Sequence, residues 1–386
     1  MAACVAWVVA VNRRRRAIKA LIGLVGPREF DPRRGGAGCT AKEALIGQMQ
    51  VGDHVLDPGM TTYNKRVLYV PQDVTNHLVN GMNAISVMLG NGWLSEPPTD
   101  GIDFWLEGRQ YENSPRLLLQ INIEFTDGTT AEMHSDRTWK TSGGPITHNG
   151  FFTGEEYDAR LEKPGWKSAG YNDSGWDHVS MKSSPGGIIR SQIMEPIKVN
   201  QTLKPISLTN PQPGVYVYDF GQLFGGWTRL HVQGSAGDVV EIKYSPRLYG
   251  NGLLDKSRHP DRGETDYYTL KGGTPEIYEP TFTYHPVRYV QIEGYPGVPT
   301  LDDLEGRVVH NSIGMEGDFE CSNPLINAIH KNVTWTFTNG LFSIPLDCLH
   351  REHVAWTDAA TITGNLYVRK SMGAFWTKWL NDIASK

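Results

Sequence analysis

Apolar and polar residues alternate in short runs along most of the chain after Ala41, and turn residues interrupt these runs roughly every eight to twelve positions. A period of two is typical of strands with one buried face. The predicted strands include Arg66–Val70, Ala84–Leu89, Arg116–Phe125, Glu132–His134, Gly226–Gln233, Val239–Tyr244, Asp266–Lys271 and Val287–Glu293. Asp127-Gly128 predicts a hairpin turn between two of them. This pattern favours β-sandwiches over helical bundles.

A helical period replaces the alternation after Asn311. Ser322-Asn323-Pro324 is typical of a helix start, with a capping side chain followed by an early proline. Two apolar stripes at helical spacing follow, one made of Leu325, Ile326, Ile329, Val333 and Phe337, the other of Met372, Phe375, Trp376, Trp379, Leu380 and Ile383. We expect these faces to be buried against other parts of the protein, because two or three amphipathic helices do not form a good core alone.

These patterns predict a multidomain, mainly β protein, and its 386 residues suffice for about two and a half domains. We predict a disordered, atypical basic extension at 1–40, a β-sandwich at 41–200, a second β domain at 201–312 and a helical region at 313–386. Both β domains are predicted to be sandwiches of jelly-roll-like form. The stretch 199–214, rich in Pro, Asn and Thr, is interpreted as a linker or a domain crossing.

The charge distribution narrows the classes of binding partner that we predict for the chain. A formal net charge of −5 gives no overall basic field to recruit nucleic acid, so no nucleic-acid partner is predicted. The apolar run Ala2–Val11 is too short to span a membrane and precedes the Arg cluster, unlike a secretory signal, so no membrane partner is predicted. A mitochondrial-type targeting helix or a basic nucleic-acid-binding arm is the alternative for this head. The compartment, cytoplasmic or exported, and the oligomeric state stay open.

The cysteines do not indicate a metal site or a disulfide framework. Cys4, Cys39, Cys321 and Cys348 show no CxxC pairing and no regular spacing. No cofactor is predicted, and no cluster of ligands calls for a metal. GQLFGG at Gly221–Gly226 lacks the G-x-G-x-x-G spacing of a dinucleotide site, so its glycines are interpreted as a tight strand entry.

One segment, Pro345–Asp358 (PLDCLHREHVAWTD), concentrates ionisable groups beside a large aromatic residue. Cleavage of a glycosidic bond needs a carboxylic acid that protonates the leaving oxygen, together with groups that hold hydroxyls. Glu352 is the candidate proton donor, because the flanking Asp347 and Asp358 and shielding by Trp356 are expected to raise its pKa. The candidate substrate-binding residues are Asp347, His350, Arg351, Trp356 and Asp358.

Other interpretations of this segment compete with the glycosidase. The same composition would suit a solvated loop between helices. His350-Arg351-Glu352 matches the H-x-E half of a zinc deaminase signature, but the P-C-x-x-C half is absent and no H-E-x-x-H motif forms. Cys348 beside His350 could form a thiol and base pair, although residues adjacent in sequence rarely provide that geometry. The charged run Asp261–Asp266 is interpreted as a solvated loop.

Several stretches, in order, resemble the bacterial α-L-rhamnosidases of glycoside hydrolase family 78. They are VGDHVLDPGMTTYNKRVLYVPQDVT at 51–75, NAISVMLGNGW at 83–93, YDFGQLFGGWTRLHVQGSAGDVVEIKYSPRL at 218–248, EPTFTYHPVRYVQIEGYPG at 279–297, and GDFECSNPLINAIHKNVTWTFTNGLFSIPLDCLHREHVAWTDA at 317–359. The resemblance covers roughly residues 40–386 and implies two β domains followed by the first helices of an incomplete (α/α)6 barrel.

This family resemblance implies an inverting glycosidase that removes terminal α-L-rhamnose from a rhamnose-containing glycan or glycoside. Glu352 matches the family's general acid, while Asp347, Arg351, Trp356 and Asp358 match positions around the sugar. The chain departs from the motif "DCPHREKLGW" at Leu349, His353, Val354 and Ala355. The family's general base, a later Glu, is expected to be absent from these 386 residues, as in a truncated gene or a split enzyme. The chain alone is therefore expected to be inactive or nearly so.

A non-catalytic carbohydrate-binding β-sandwich is the alternative function. Exposed aromatic faces at Trp93, Trp105 or Trp227 could bind glycans without cleaving them. Core packing is the favoured interpretation of each of these tryptophans, since large aromatic residues are mostly buried.

Overall fold

The computed structural model describes residues 3–11, 17–25, 41–46, 49–95, 115–257, 263–356 and 372–385. These ranges contain 21 strands and two α-helices. The first thirteen strands are β1 Ala3–Val11, β2 Ala17–Val25, β3 Ala41–Ile46, β4 Met49–Gln50, β5 Arg66–Asp73, β6 Gly81–Leu89, β7 Leu118–Phe125, β8 Thr130–His134, β9 Lys140–Gly143, β10 Ile146–Gly150, β11 Gly154–Asp158, β12 Asp177–His178 and β13 Ile188–Ser191. The others are β14 Ile197–Leu203, β15 Ser207–Gln212, β16 Val215–Val232, β17 Val239–Ser245, β18 Thr265–Thr269, β19 Glu276–Tyr278, β20 His285–Glu293 and β21 Leu304–Asn311. The helices are α1 Pro324–Asn339 and α2 Met372–Ile383, with 3-10 turns at Thr75–His77, Gly92–Leu94, Ala159–Leu161 and Leu301–Asp303.

Two sheets face each other in the first part of the chain. One has the strand order β12-β9-β1-β6-β3-β4 and the other the order β13-β5-β2-β7-β8. Alternate residues of β7, from Leu119 to Phe125, are buried against apolar residues of β6 such as Ile85 and Val87. The amide of Gly128 donates to the carbonyl of Phe125, which confirms the predicted hairpin turn between β7 and β8. The predicted mainly β architecture with a first sandwich is therefore confirmed.

The head of the chain contributes a strand to each of these sheets. β1 pairs with β6 from Ala3 opposite Leu89 to Val11 opposite Gly81, and β2 lies between β5 and β7. The prediction of a disordered extension at 1–40 is therefore wrong for these two ranges. A short continuous apolar run is also typical of a central strand, and that explanation applies to 3–11. The Arg cluster, 13–16, lies outside the described residues.

The second β domain is one sheet of ten strands that curls around a single core. Its order is β10-β11-β18-β17-β20-β16-β21-β14, with β15 and β19 also paired to β16. The register of the pairing between β16 and β20 shifts between Asp219 and Phe224. Beyond Gly226, β16 pairs with β21 instead of β20. Strands β10 and β11 precede residue 200 in the chain but belong to this sheet, so the division between the sheets does not coincide with the predicted domain boundary. The domain boundary stays a prediction.

Residues 199–214 are not a linker. Most of this range belongs to β14 and β15, which pair antiparallel with β21 and β16. Edge strands with one solvated face carry many polar residues, and Pro is tolerated at such edges, so the composition resembled a linker.

Helix α1 begins as predicted, with the Asn323 side chain accepting a hydrogen bond from the amide of Leu325 and with Pro324 in the first turn. Its C-terminal end is docked on the irregular part of β16, where Trp335 Nε1 donates to the carbonyl of Leu223 at 2.6 Å. Phe337 of the predicted stripe is buried. The other four stripe residues, Leu325, Ile326, Ile329 and Val333, are 45–66% exposed, so the expected burial of this face is not found in the described part of the chain.

Helix α2 buries most of its predicted apolar face. Met372, Phe375 and Trp379 are at most 6% exposed, whereas Leu380 is 61% exposed. Trp379 belongs to a core shared by all three regions of the chain, which also includes Trp93 from the first sandwich, Phe152 from the turn between β10 and β11, Trp227 and Tyr284 from the second β domain, and Phe342 from beyond α1. The candidate site described below is built on this shared core.

We predict that Gly226→Ala strongly destabilises the protein. Gly226 has φ +149°, and a Cβ atom there would lie 1.9 Å from the carbonyl oxygen of Arg307 on β21. We expect a loss of about 3 kcal/mol or more in the free energy of unfolding, measured by urea denaturation. Gly128→Ala is the matched control, because Gly128 also has a positive φ but no atom lies within 4 Å of its added Cβ. An equal loss in both variants would contradict the importance of the close approach.

Candidate active site

The acid loop, residues 345–356, follows α1 and is closed by its own hydrogen bonds. The amide of Asp347 donates to the carbonyl of Val354 at 3.0 Å, and the amide of Glu352 donates to Cys348 Sγ at 3.3 Å. These contacts bring side-chain atoms of Asp347, Cys348 and Glu352 within 4.8 Å of one another. The loop therefore gathers the predicted acid and one of its neighbouring carboxylates at one place.

Glu352 is 8% exposed, and its carboxylate accepts hydrogen bonds from two side chains of its own loop, Arg351 and Trp356. Arg351 Nη2 donates to Oε1 at 2.5 Å, and Trp356 Nε1 donates to Oε2 at 2.7 Å. The Arg351 side chain is 56% exposed and Trp356 is 38% exposed, so both donors are partly accessible to solvent. The structure thus brings together Glu352, Arg351, Trp356 and Asp347, while Asp358 lies outside the described residues.

These hydrogen bonds determine where the proton of the carboxyl pair lies. Burial favours the neutral form of Glu352, but the hydrogen bonds from Arg351, Trp356 and Asp347 outweigh it and lower the pKa of Glu352 below its ordinary value. Burial, followed by the hydrogen bond with Glu352, raises the pKa of Asp347. The expected upward shift at Glu352 is therefore wrong for this geometry, because the hydrogen bonds that its carboxylate accepts stabilise the ionised form.

The thiol and metal alternatives gain little support from the geometry. Burial raises the pKa of the Cys348 thiol and lowers the pKa of His350, which disfavours a thiolate paired with an imidazolium. Among the described residues, Asp347, Cys348 and Glu352 are the group close enough to surround a cation. The Arg351 guanidinium already donates a hydrogen bond to the Glu352 carboxylate, so we assign no metal to this group.

The loop that leads from α1 to the acid loop is held at Ser343, which has φ +63°. Its amide donates to Asn311 Oδ1 at 2.6 Å, its hydroxyl accepts from the amide of Met60 at 3.0 Å, and its carbonyl accepts from Lys378 Nζ at 2.8 Å. Lys378 is buried and pairs with Asp382 at 2.7 Å. One residue is thereby bonded to the first sandwich, the second β domain and α2.

Two further carboxylates lie buried beneath the acid loop. Glu264 is 2% exposed and Asp266 is 0% exposed, so the interpretation of Asp261–Asp266 as a solvated loop is wrong from residue 263 onward. His285 lies between them, with Nδ1 2.7 Å from Glu264 Oε2 and Nε2 3.0 Å from both oxygens of Asp266. Tyr244 stacks on the His285 ring at 4.0 Å and donates its hydroxyl to Asp266 at 2.9 Å.

The charges of this cluster stabilise one another. Burial would lower the pKa of His285, but the carboxylates of Asp266 and Glu264 outweigh it and raise the pKa to about 9. Burial would also raise the pKa of Glu264, but the hydrogen bond from His285 and the close approach of the His353 ring lower it to about 2. An imidazolium between two carboxylates satisfies groups that would be very costly to bury alone.

Sequence reasoning missed this cluster, although a signal was present. Asp266 and Tyr268 are two residues apart in the predicted strand Asp266–Lys271 and therefore project from the same face. Both are buried. A carboxylate in register with an aromatic residue on one strand face predicts burial, and a buried carboxylate needs a cationic partner elsewhere in the chain.

The tryptophans that were considered as glycan-binding platforms belong to the core. Trp93 is 7% exposed and Trp227 is 0% exposed, as the core interpretation predicts. Trp105 lies outside the described residues. The carbohydrate-binding alternative therefore loses two of its three aromatic faces.

Family models match the chain in three consecutive ranges. Residues 38–201 match the alpha-L-rhamnosidase N-terminal domain, 209–310 the bacterial alpha-L-rhamnosidase concanavalin-like domain, and 315–386 the bacterial alpha-L-rhamnosidase 6 hairpin glycosidase domain. The chain belongs to the bacterial α-L-rhamnosidase family. The third range contains α1, the acid loop and α2, so the acid loop lies in the part that matches the family's glycosidase domain.

Individual family members agree with this assignment. The chain is 35% identical over 346 residues to an alpha-L-rhamnosidase of Streptomyces avermitilis, a match that covers 88% of this chain and 33% of the relative. It is similar to the solved structure of alpha-L-rhamnosidase from Dictyoglumus thermophilum, with 38% identity and a TM-score of 0.90 over 100% of this chain and 41% of the other. The S. avermitilis structure complexed with L-rhamnose gives 31% identity and a TM-score of 0.90 over 99% of this chain and 36% of the other. The chain thus spans about a third of the curated relative.

Within the ranges that the structure describes, neither helix combines the length and the apolar character needed to cross a bilayer.

We predict that His285 makes stability depend on pH above neutrality. Because the pKa of His285 is raised from 6.5 to about 9, its stabilising contribution is complete below pH 6.5 and is lost as the pH rises through 9. The difference in unfolding free energy between wild type and His285→Gln should shrink by up to about 1.4 kcal/mol per pH unit in this interval, measured by urea denaturation. His178→Gln, at an exposed histidine, is the control and should show no such slope. A difference that stays constant from pH 6 to pH 10 would refute a buried imidazolium.

Proposed function

We propose that these residues belong to an inverting α-L-rhamnosidase that removes terminal α-L-rhamnose from a rhamnose-containing glycan or glycoside. The observation that carries the proposal is the position of Glu352, a residue that is 8% exposed and whose carboxylate accepts hydrogen bonds from an arginine and a tryptophan. The match of residues 315–386 to a glycosidase domain supports it, as do the relatives named alpha-L-rhamnosidase. The acid is retained in a motif that departs from the family pattern at four other positions, which also favours preserved chemistry over a solvated loop.

Glu352 acts as the general acid in this proposal. A general acid must carry a proton when the glycosidic oxygen leaves, and the hydrogen bonds from Arg351 and Trp356 oppose protonation of Glu352. Both donors are partly exposed, so they are also the groups that a sugar would engage, Arg351 through hydroxyls and Trp356 by stacking. When the sugar draws Arg351 away, the pKa of Glu352 rises, and the neighbouring Asp347, whose own pKa is raised, is a nearby source of the proton. His350 and Asp358 complete the proposed set of substrate contacts.

Asp347 is not the general base. An inverting glycosidase needs a second carboxylate roughly 6.5–9.5 Å from the acid, so that a water molecule fits between this base and the sugar. Asp347 lies within 4.8 Å of Glu352 and comes from the same loop. We therefore propose that the 386 residues bind rhamnose but hydrolyse rhamnosides very poorly on their own, with the base supplied from outside them.

We predict that Trp356→Ala weakens binding of L-rhamnose by about tenfold, because an aromatic stacking face contributes roughly 1–1.5 kcal/mol. Isothermal calorimetry on the 386-residue chain measures the affinity directly. Trp356→Phe keeps a stacking face and should retain most of it. L-Fucose serves as the control sugar. Equal rhamnose affinity in wild type and Trp356→Ala would contradict a sugar site at this loop.

We predict that the chain shows at most trace turnover of an aryl α-L-rhamnoside and that Glu352→Gln leaves this background unchanged. Release of the chromophore measures the rate, and Glu132→Gln, at a partly exposed glutamate of the first sandwich, is the matched control. Turnover that Glu352→Gln abolishes and Glu132→Gln does not would support the acid but overturn the missing base. Rhamnose binding that needs none of these residues would favour a non-catalytic carbohydrate-binding protein.

A further inference from the structure

The residue after the proposed acid, His353, is enclosed on both faces by aromatic rings. It is 0% exposed. Its ring centroid lies 4.8 Å from that of Tyr284, with an angle of 24° between the planes, and 4.8 Å from that of Phe152. Phe152 lies in the turn between β10 and β11 and Tyr284 directly precedes β20, so at this one residue the acid loop is inserted between two parts of the ten-stranded sheet.

The edge of the His353 ring faces the buried ionic cluster. Nε2 of His353 lies 3.3 Å from Oε1 of Glu264, while the other oxygen of Glu264 is held by His285 at 2.7 Å. Both His353 and Glu264 have a left-handed backbone, with φ +50° and φ +60°. Residues other than glycine adopt this conformation at an energetic cost, so surrounding contacts must hold them there. The two strained residues are in contact with each other.

This contact is next to the functional carboxylate in the chain. Glu352 directly precedes His353 in the chain. A fixed ring and backbone at His353 therefore restrict the direction in which the Glu352 side chain leaves the loop. The other partners of Glu352 are exposed, Arg351 by 56% at its side chain and Trp356 by 38%. The buried anchor through His353 is the one that substrate and solvent cannot displace.

We propose that His353 and Glu264 are positioning residues, through which the second β domain fixes the orientation of Glu352 in the acid loop. The role of Glu352 as an acid rests on the proposed function, whereas the positioning itself is a property of the structure and can be tested without any activity. The hydrogen bond from Trp356 Nε1 to Glu352 Oε2, 2.7 Å long, provides the readout, because its geometry depends on where the carboxylate points.

The experiment records the indole N–H signals of the full chain labelled with ¹⁵N-tryptophan. Trp356→Phe assigns the Trp356 signal, and the Trp335 signal serves as internal reference, because its N–H donates to a backbone carbonyl of β16. His353→Phe keeps an aromatic ring between Tyr284 and Phe152 but removes the contact with Glu264. We expect the Trp356 signal to lose its downfield, hydrogen-bonded position while the Trp335 signal stays.

His353→Gln is the rescue variant, since a glutamine amide can take the place of Nε2 and donate to Glu264. We expect it to restore the Trp356 signal at least in part. Tyr244→Phe is the matched cluster control, because it removes a hydrogen bond to Asp266 without touching His353. We expect no shift of Trp356 in this variant.

An unchanged Trp356 signal in His353→Phe would overturn the proposal, as would an equal shift in Tyr244→Phe. If His353→Phe does not fold, Glu264→Gln replaces it, with the same expected loss at Trp356 and an unchanged signal again overturning the proposal. Failure of the proposed function is separate, since a chain that does not bind rhamnose can still show the His353→Phe effect. If the chain binds rhamnose but His353→Phe leaves the Trp356 signal unchanged, the proposed function stands and the positioning proposal is overturned.

Discussion

The arrangement of the site depends on the burial of two carboxylates, Glu264 and Asp266, inside the second β domain. A buried carboxylate without partners would cost far more than a fold of marginal stability can lose. His285 lies between the two and satisfies one oxygen of Glu264, and Asp266 also accepts from the Tyr244 hydroxyl and the amide of Glu155. The oxygen of Glu264 that remains faces His353 of the acid loop. The electrostatics of the β domain are therefore completed by a residue of the loop that carries the candidate acid.

Close backbone approaches make this arrangement possible. A Cβ at Gly226 would meet the Arg307 carbonyl at 1.9 Å, and one at Gly225 would meet the carbonyl of Asn339, at the end of α1, at 2.8 Å. The amide of Gly225 donates to the side chain of that same asparagine at 3.1 Å. The glycines of GQLFGG thus lie within β16 rather than at its entry, and they bring sheet and helix close enough for the loop after α1 to reach the buried cluster.

The sequence allowed the local structure to be predicted better than the electrostatics. A period of two along β7 and the Asn323 cap of α1 are local signals, and both predictions are confirmed. The strands at 3–11 and 17–25 were missed because an apolar run beside an arginine cluster has several interpretations until its pairing partners are known. The buried state of Glu264 and the lowered pKa of Glu352 depend on side chains that the fold brings close in space. Neighbours in sequence could not reveal that Glu264 is buried or that the pKa of Glu352 is lowered rather than raised.

The two sets of contacts around Glu352 differ in a way that bears on its proposed role as an acid. Arg351 and Trp356 keep the carboxyl ionised but are partly exposed, so a ligand can replace them. His353 is fully buried, and its ring is held by Phe152, Tyr284 and Glu264 without any exposed partner among them. A sugar could therefore change the protonation of Glu352 by engaging its exposed partners without changing the position of the backbone that bears it. Separating the groups that set the charge from the group that sets the position would let a single short loop both bind a ligand and hold an acid in place.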